Sequence, residues 1–385
     1  MVVLQRGFRI FFIGAGALAT VAMVGWVCLL EGYRWPGAPE NVIVWHAHEM
    51  MYGFGGAAVA GFLLTAVPEF TKTRAVQGLA LAIVFALWLA ARLSAALPSF
   101  GLAVIGPWFD VAFFLALAVA VGHPIVATRT WSSSVLPAIV LLLAGTSTMY
   151  ALATTSTLPW PPIATLAPAP HLFVLLIVVM GGRIIPAFTR NWLRARGVER
   201  VPVSSRASTA ASIGATVLVA LLDVLGADGV WLGVASGLAF AVHSSRLSGW
   251  CGWATWRSPL LLVLHVGYAW IPVGYLIAGL AAVTGAFPAS ASLHAFTIGA
   301  IGTMILAVMT RVGLGHSGRA LEASRPILAA YAAVTAAAVL RLAAPFSVHY
   351  HDLLVASGSL WAIAFATFSI CYWPILSGPR VDEGD

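Results

Sequence analysis

Apolar positions along this chain fall in runs of about twenty residues, the length that crosses roughly 30 Å of hydrocarbon as a helix, and short turns separate the runs. The pattern predicts twelve helical spans, near 9–30, 47–67, 76–97, 104–122, 135–153, 169–189, 207–226, 229–245, 259–282, 292–312, 325–345 and 351–374. Alternation with a period of two, the mark of barrel strands, is not what these runs show. The first run opens with Arg6 and Arg9 and has no small-residue cleavage site after it, so it reads as an uncleaved span. The longest polar stretch, about 190–206, reads as a connector. The expected architecture is therefore all-α and polytopic, a single transmembrane domain over residues 1–385 with about 12 helices.

Composition agrees. Hydrophobic residues make up 61% and charged residues 9%, with a mean hydropathy of +0.95. Soluble domains carry roughly 25% charged residues, so a soluble globular, disordered, fibrous or coiled-coil protein is excluded. A net charge of +7 would suggest nucleic acid in a soluble chain. Here the basic residues instead sort onto alternate connections. Seventeen of the twenty lie at the N-terminus, the C-terminus and the even-numbered connections, including Lys72, Arg74, Arg129 and six from Arg183 to Arg206; only Arg34, Arg92 and Arg341 lie opposite. That asymmetry places both termini in the cytoplasm and sets nucleic-acid binding aside. Cys28, Cys251 and Cys371 form no CxxC or CxxCH, so neither a zinc ribbon nor c-type haem attachment is indicated.

The ten histidines then sort by depth. His46, His48, His171, His294, His349 and His351 fall at the periplasmic ends of spans, and His123, His243 and His316 at the cytoplasmic ends. His265 lies about 9 Å inside the ninth span. A layer of imidazoles on one side is a metal-site signal, against the alternative that histidines simply collect at helix ends. His46, His171 and His294 each open every fourth span, and the same spans end in Thr71-Lys72, Thr189-Arg190 and Thr310-Arg311. Three pseudo-symmetric four-helix units would follow, an architectural analogy to the catalytic subunit of haem-copper oxidases.

Trp45-His46-Ala47-His48-Glu49-Met50 is the densest polar cluster. Residues two apart on a helix diverge by about 200°, so both histidines share one metal only if this segment is extended. Glu49 follows His46 by three and Tyr52 follows His48 by four, two helical pairs. Glu49 either orients a ligand histidine, relays protons, or is solvated by headgroups. It is the carboxylate adjacent to the histidines, with Asp110, Asp223 and Asp352 on other spans. Gly53, Gly55, Gly56 and Gly61, and the small residues after His294, give either close helix approach or room for a flat cofactor. Gly181-Gly182-Arg183 is expected to break the sixth span, with Arg183 either pairing an acidic ligand group or serving positive-inside charge.

Four segments, WHAHEMMYGFGGAAVAGFLLTAVPEFT, GGRIIPAFTRNWL, LLLVLHVGYAWIPVG and HAFTIGAIGTMILAVMTRVGLGHSGR, resemble the signature segments of the NnrS family, bacterial membrane proteins of nitric oxide metabolism. The resemblance runs from GFRIFF at residue 7 to GPRVD near the C-terminus. It implies haem b, one or more, and copper. By matched motif it assigns cofactor binding to His46, His48, His265, His294 and His316, with Arg183 and Arg311 in the accompanying basic positions. Position alone adds His171, His349 and His351 as metal ligands beside His46, His48 and His294. Glu49 and Tyr52 are the candidate catalytic residues. The expected function is nitric oxide binding and reduction in the bacterial inner membrane, with lipid around it and electrons from an unidentified donor. The alternatives are a non-catalytic protein that senses or sequesters NO or metal, and a small-molecule transporter, which glycine-broken helices would also suit.

Overall fold

A computed structural model describes residues 2–96, 102–227 and 229–381. The described chain is helical throughout, with no strand among the described residues. Twelve long helices follow in order: α1 Gly7–Leu30, α2 Val42–Thr71, α3 Gly78–Ala96, α4 Leu102–Ala127, α5 Val135–Thr154, α6 Pro168–Arg194, α7 Arg206–Val224, α8 Gly229–Ser248, α9 Pro259–Thr284, α10 Ala289–Gly315, α11 Arg325–Ala343 and α12 Tyr350–Ser377. Eleven are long and apolar enough to cross a membrane. The remaining one, α8, carries Ser236, His243, Ser244, Ser245 and Arg246, which lower its hydropathy. Ser236, His243 and Arg246 are nevertheless buried.

Several helices extend past the apolar runs, because a polar residue whose side chain is satisfied inside the protein does not end a helix. α2 begins at Val42, where the Asn41 side chain accepts the Val44 N–H as an N-cap. His46 and His48 therefore sit a turn or more inside α2 and not at its start. α6 continues through Gly181-Gly182-Arg183 to Arg194, so the expected break does not occur. Both α2 and α10 widen to π-helix immediately after a motif histidine region, over Glu49–Gly55 and Ala295–Gly302. Such segments are rare and concentrate at functional sites.

Helix packing divides the chain into two compact units. The first holds residues 1–172, 309–320 and 365–385; the second holds 173–308 and 321–364. In the first, Phe8, Phe11, Phe12, Phe113 and Phe114 are fully buried, and glycines serve as sockets for such rings. A Cβ on Gly61 would stand 2.7 Å from the Phe12 ring, and one on Gly16 would stand 3.0 Å from Phe368. In the second unit, the small residues after His294 face indoles: a Cβ on Gly299 would fall 2.5 Å from Trp270, and one on Gly302 would strike Trp361. Side chains of the same unit thus occupy the room that these glycines leave.

Gly302→Ala should therefore destabilise the protein by about 1–3 kcal/mol through overpacking. Gly237→Ala, which meets nothing within 4 Å, should leave stability unchanged or raise it by up to roughly 1 kcal/mol. Thermal unfolding of the two variants in detergent measures the contrast.

Candidate functional site

The first unit holds a buried polar cluster made by α2, α3, α4 and α5. His48, Glu49, Arg92 and Asp110 are 6%, 3%, 6% and 0% exposed. His48 Nδ1 donates to Glu49 Oε1 at 3.0 Å, and His48 Nε2 lies 3.3 Å from Asp110 Oδ2. Arg92 closes the ring: its Nη1 is 3.3 Å from Glu49 Oε2, and its Nη2 donates to Asp110 Oδ2. His48 Nδ1 is the hydrogen-bonded nitrogen, while Nε2 faces Asp110 without forming a hydrogen bond.

The surrounding residues hold this geometry. The Tyr150 ring stacks on His48 at 4.4 Å and 29°, while Tyr52 meets it edge-on at 5.3 Å. A Cβ on Gly53 would collide with the Arg92 guanidinium, so glycine is required at that turn of the π segment. Trp88, one helical turn before Arg92, donates its indole N–H to Gly53 O at 2.9 Å and ties α3 to α2 at the same level. Asp110 Oδ1, Arg92 Nε, Arg92 Nη1 and His48 Nε2 make no hydrogen bond, so the cluster keeps spare hydrogen-bonding capacity on three of its four residues.

Of the expected residues, the structure brings together His48, Glu49 and Tyr52. The His48–Tyr52 pair forms as the spacing predicts. Glu49 pairs with His48, its chain neighbour, instead of His46, whose ring stacks on Trp26 at 4.2 Å. Because Val42–His48 is helical, the extended geometry that would let both imidazoles share one metal is not present. Asp110, set apart on another span by its sequence position, is as much a neighbour of His48 as Glu49 is. Arg92, Asp110 and Tyr150 were missed. The available signal was that Arg92 and Asp110 are lone opposite charges in apolar runs on consecutive spans, and such charges usually pair.

A second cluster, also missed, lies in the other unit. Tyr268 OH lies 2.8 Å from His243 Nδ1 and accepts from Arg246 Nη1 at 3.1 Å. His243 Nε2 lies 3.1 Å from Thr216 Oγ1, and Tyr275 stacks on the same imidazole at 5.4 Å. Arg246 also donates to Val178 O and Thr209 Oγ1. Gly182 of the GGR motif faces Arg246, where a Cβ would overlap the guanidinium. That close approach explains a glycine which the sequence suggested as a helix breaker.

The other expected residues are dispersed. His265 is buried, with Nδ1 donating to Leu261 O at 3.0 Å, Nε2 3.4 Å from Thr189 Oγ1, and Gly252 against its ring. His294 donates from Nδ1 to Ser290 O at 2.7 Å. His171 is half-buried; Arg183 and His351 are exposed; Arg311 is half-buried. His349 pairs with Asp352 at 3.3 Å on the exposed start of α12. His316 lies just beyond α10 with its ring 5.8 Å from Phe8. Burial holds its imidazole below the ordinary histidine range; Glu69 opposes that shift, while Arg6 and Arg380 add to it.

A histidine binds metal through one nitrogen while the other N–H is fixed by a carbonyl or carboxylate. His294 fits a haem iron on this ground, since its Nδ1–H is held by a backbone carbonyl and its Nε2 has no hydrogen-bond partner among the described residues. His265 has the same Nδ1 anchor. His48, with both nitrogens facing carboxylates, does not fit. Among the described residues, no group of three or more His, Cys, Asp or Glu side chains is placed to hold a metal ion.

Removing one member of a buried charge network leaves its partners uncompensated, at about 3–5 kcal/mol. Arg92→Met should cost that much in thermal unfolding, and adding Asp110→Asn should restore part of it by removing one stranded carboxylate. Simply additive losses would mean that the two residues do not share an interaction.

No curated protein matches the chain. The family model described as NnrS protein matches residues 2–380, nearly its whole length. With four signature segments on α2, α6, α9 and α10 of a polytopic helical protein, the chain belongs to the NnrS family.

Proposed function

We propose that this protein acts on nitric oxide in the bacterial inner membrane, binding and reducing it, with both termini in the cytoplasm. The family's link to nitric oxide metabolism supports the substrate, and the seventeen-to-three distribution of basic residues supports the orientation. The observation that carries the catalytic reading is the buried His48–Glu49–Arg92–Asp110 cluster, a store of exchangeable protons in a span. Ionisable groups are costly at that depth and mark proton relays or substrate paths.

Reduction of two NO to N2O and water takes two electrons and two protons, and apolar NO reaches a buried site through the bilayer without a polar channel. Haem b held by His294 or His265 would supply iron that binds NO and accepts electrons from the donor. The chain's own residues manage the protons. His48 passes a proton from Nδ1 to Glu49 Oε1 across 3.0 Å. Arg92 holds both carboxylates in place and, being always charged, does not compete for that proton. Asp110, with one free oxygen, takes up the next proton. Tyr52 and Tyr150 wall the imidazole on two sides and keep its plane fixed.

Glu49→Gln and Asp110→Asn should each keep haem content and the NO-bound spectrum while lowering N2O formation at least tenfold in proteoliposomes with an artificial electron donor. No N2O from fully loaded wild type would refute reduction; equal rates in all three proteins would remove the cluster from it. The pyridine haemochrome assay should report protohaem in the wild type. That signal should fall by more than half in His294→Ala or His265→Ala but persist in His48→Ala.

A further inference from the structure

The first unit has a basic recess where three spans end. Arg6 precedes α1, Pro68 and Glu69 close the last turn of α2, and Lys72 to Gln77 form the connection to α3; together these line a space of about 500 Å³. Three of the lining side chains are cationic and one is anionic. Glu69 is 3.6 Å from Arg6 and so already engaged. Lys72 and Arg74 are exposed and have no acidic partner among the described residues. His316 adds no compensating negative charge, and its imidazole senses Arg6 and Arg380 in the same neighbourhood.

The connection is a fixed structure. Lys72 adopts the left-handed conformation, at φ 55°, to end α2. Thr73 N–H then donates to Pro68 O at 3.2 Å, and the hydroxyls of Thr71 and Thr73 bond at 2.9 Å. Lys72 and Arg74 are thus presented by a pinned turn, with the Gln77 amide as a neutral donor in the same lining. Three candidate spans end at the recess, since α1 starts at Gly7, α2 stops at Thr71 and α3 starts at Gly78. Directly beside it on the spans, Phe70 and Leu79 are 42% and 78% exposed.

We propose that this recess binds the phosphodiester headgroup of an anionic phospholipid. Lys72 and Arg74 take the phosphate, Gln77 bonds a headgroup oxygen, and the acyl chains run along Phe70 and Leu79. A point cation and a guanidinium side by side suit a phosphate monoanion, and basic pockets between spans are where such headgroups dock. The exposed apolar pair favours a lipid over a free phosphate, which has no use for it.

The test is native mass spectrometry and thermal unfolding of the full-length protein in nanodiscs. Wild type, Lys72→Gln/Arg74→Gln, and the control Arg194→Gln/Arg196→Gln, which removes two exposed charges elsewhere, are compared in phosphatidylglycerol and in phosphatidylcholine. Wild type and control should retain phosphatidylglycerol at least threefold more than the recess variant, and only they should unfold later in phosphatidylglycerol than in phosphatidylcholine. Equal retention by all three proteins, or an equal loss in the control, would overturn the proposal, because general surface charge would then account for binding. Inorganic phosphate reproducing the whole stabilisation in phosphatidylcholine would overturn it in favour of a soluble anion.

Discussion

A charge taken into a bilayer has to be matched by another within a few ångströms, because neither water nor salt is there to screen it. That constraint organises the first unit. Arg92 on α3 requires carboxylates, and α2 and α4 provide Glu49 and Asp110; the two carboxylates in turn flank His48, which bonds Glu49 and faces Asp110. Once the four meet, the contacts around them are restricted. Gly53 must lack a side chain, Trp88 must reach Gly53 O, and Tyr150 must lie flat against the imidazole. Three neighbouring helices are thereby held in register by something more directional than apolar packing, which lipid tails could also satisfy.

The second unit meets the same constraint differently. Arg246 is buried among neutral acceptors, Val178 O, Tyr268 OH and Thr209 Oγ1, with indole and phenol faces beside it. Carbonyl dipoles and π faces spread the charge here, where the first unit balances it outright. Both arginines rest against a glycine, Gly53 in one unit and Gly182 in the other. Several glycines of this chain act as sockets, for guanidinium groups in these two cases and for aromatic rings at Gly16, Gly61, Gly299 and Gly302.

The helices were legible in the sequence because a span is a local property: twenty apolar residues declare it without reference to any partner. Their ends were less so, since whether His46 or Arg183 ends a helix depends on what its neighbours supply. α2 runs through its histidines and α6 through its glycine pair for that reason. Half of the cluster was legible too, through the rare adjacency of His48 and Glu49 and the helical spacing to Tyr52. Arg92 and Asp110 were not, because pairing across helices leaves no spacing rule in one sequence, and their one trace is that each is a lone charge inside an apolar run. The histidine layer misled for a related reason. Equal depth does not imply convergence: His46 turns to Trp26, and His349 to Asp352 at an exposed helix start.

The π-helical segments of α2 and α10 carry one residue more per turn than the helix on either side. An α-helix advances about 100° per residue and the wider π turn advances less, so the extra residue lets the helix on either side keep its facing while the segment itself turns its side chains to new directions. Losing one residue from Glu49–Gly55 would leave α2 apolar, long and membrane-competent, but would take away the slack that brings both Glu49 and Gly53 against Arg92. The chemistry at this level of the protein depends on a local count of residues, which hydropathy does not register.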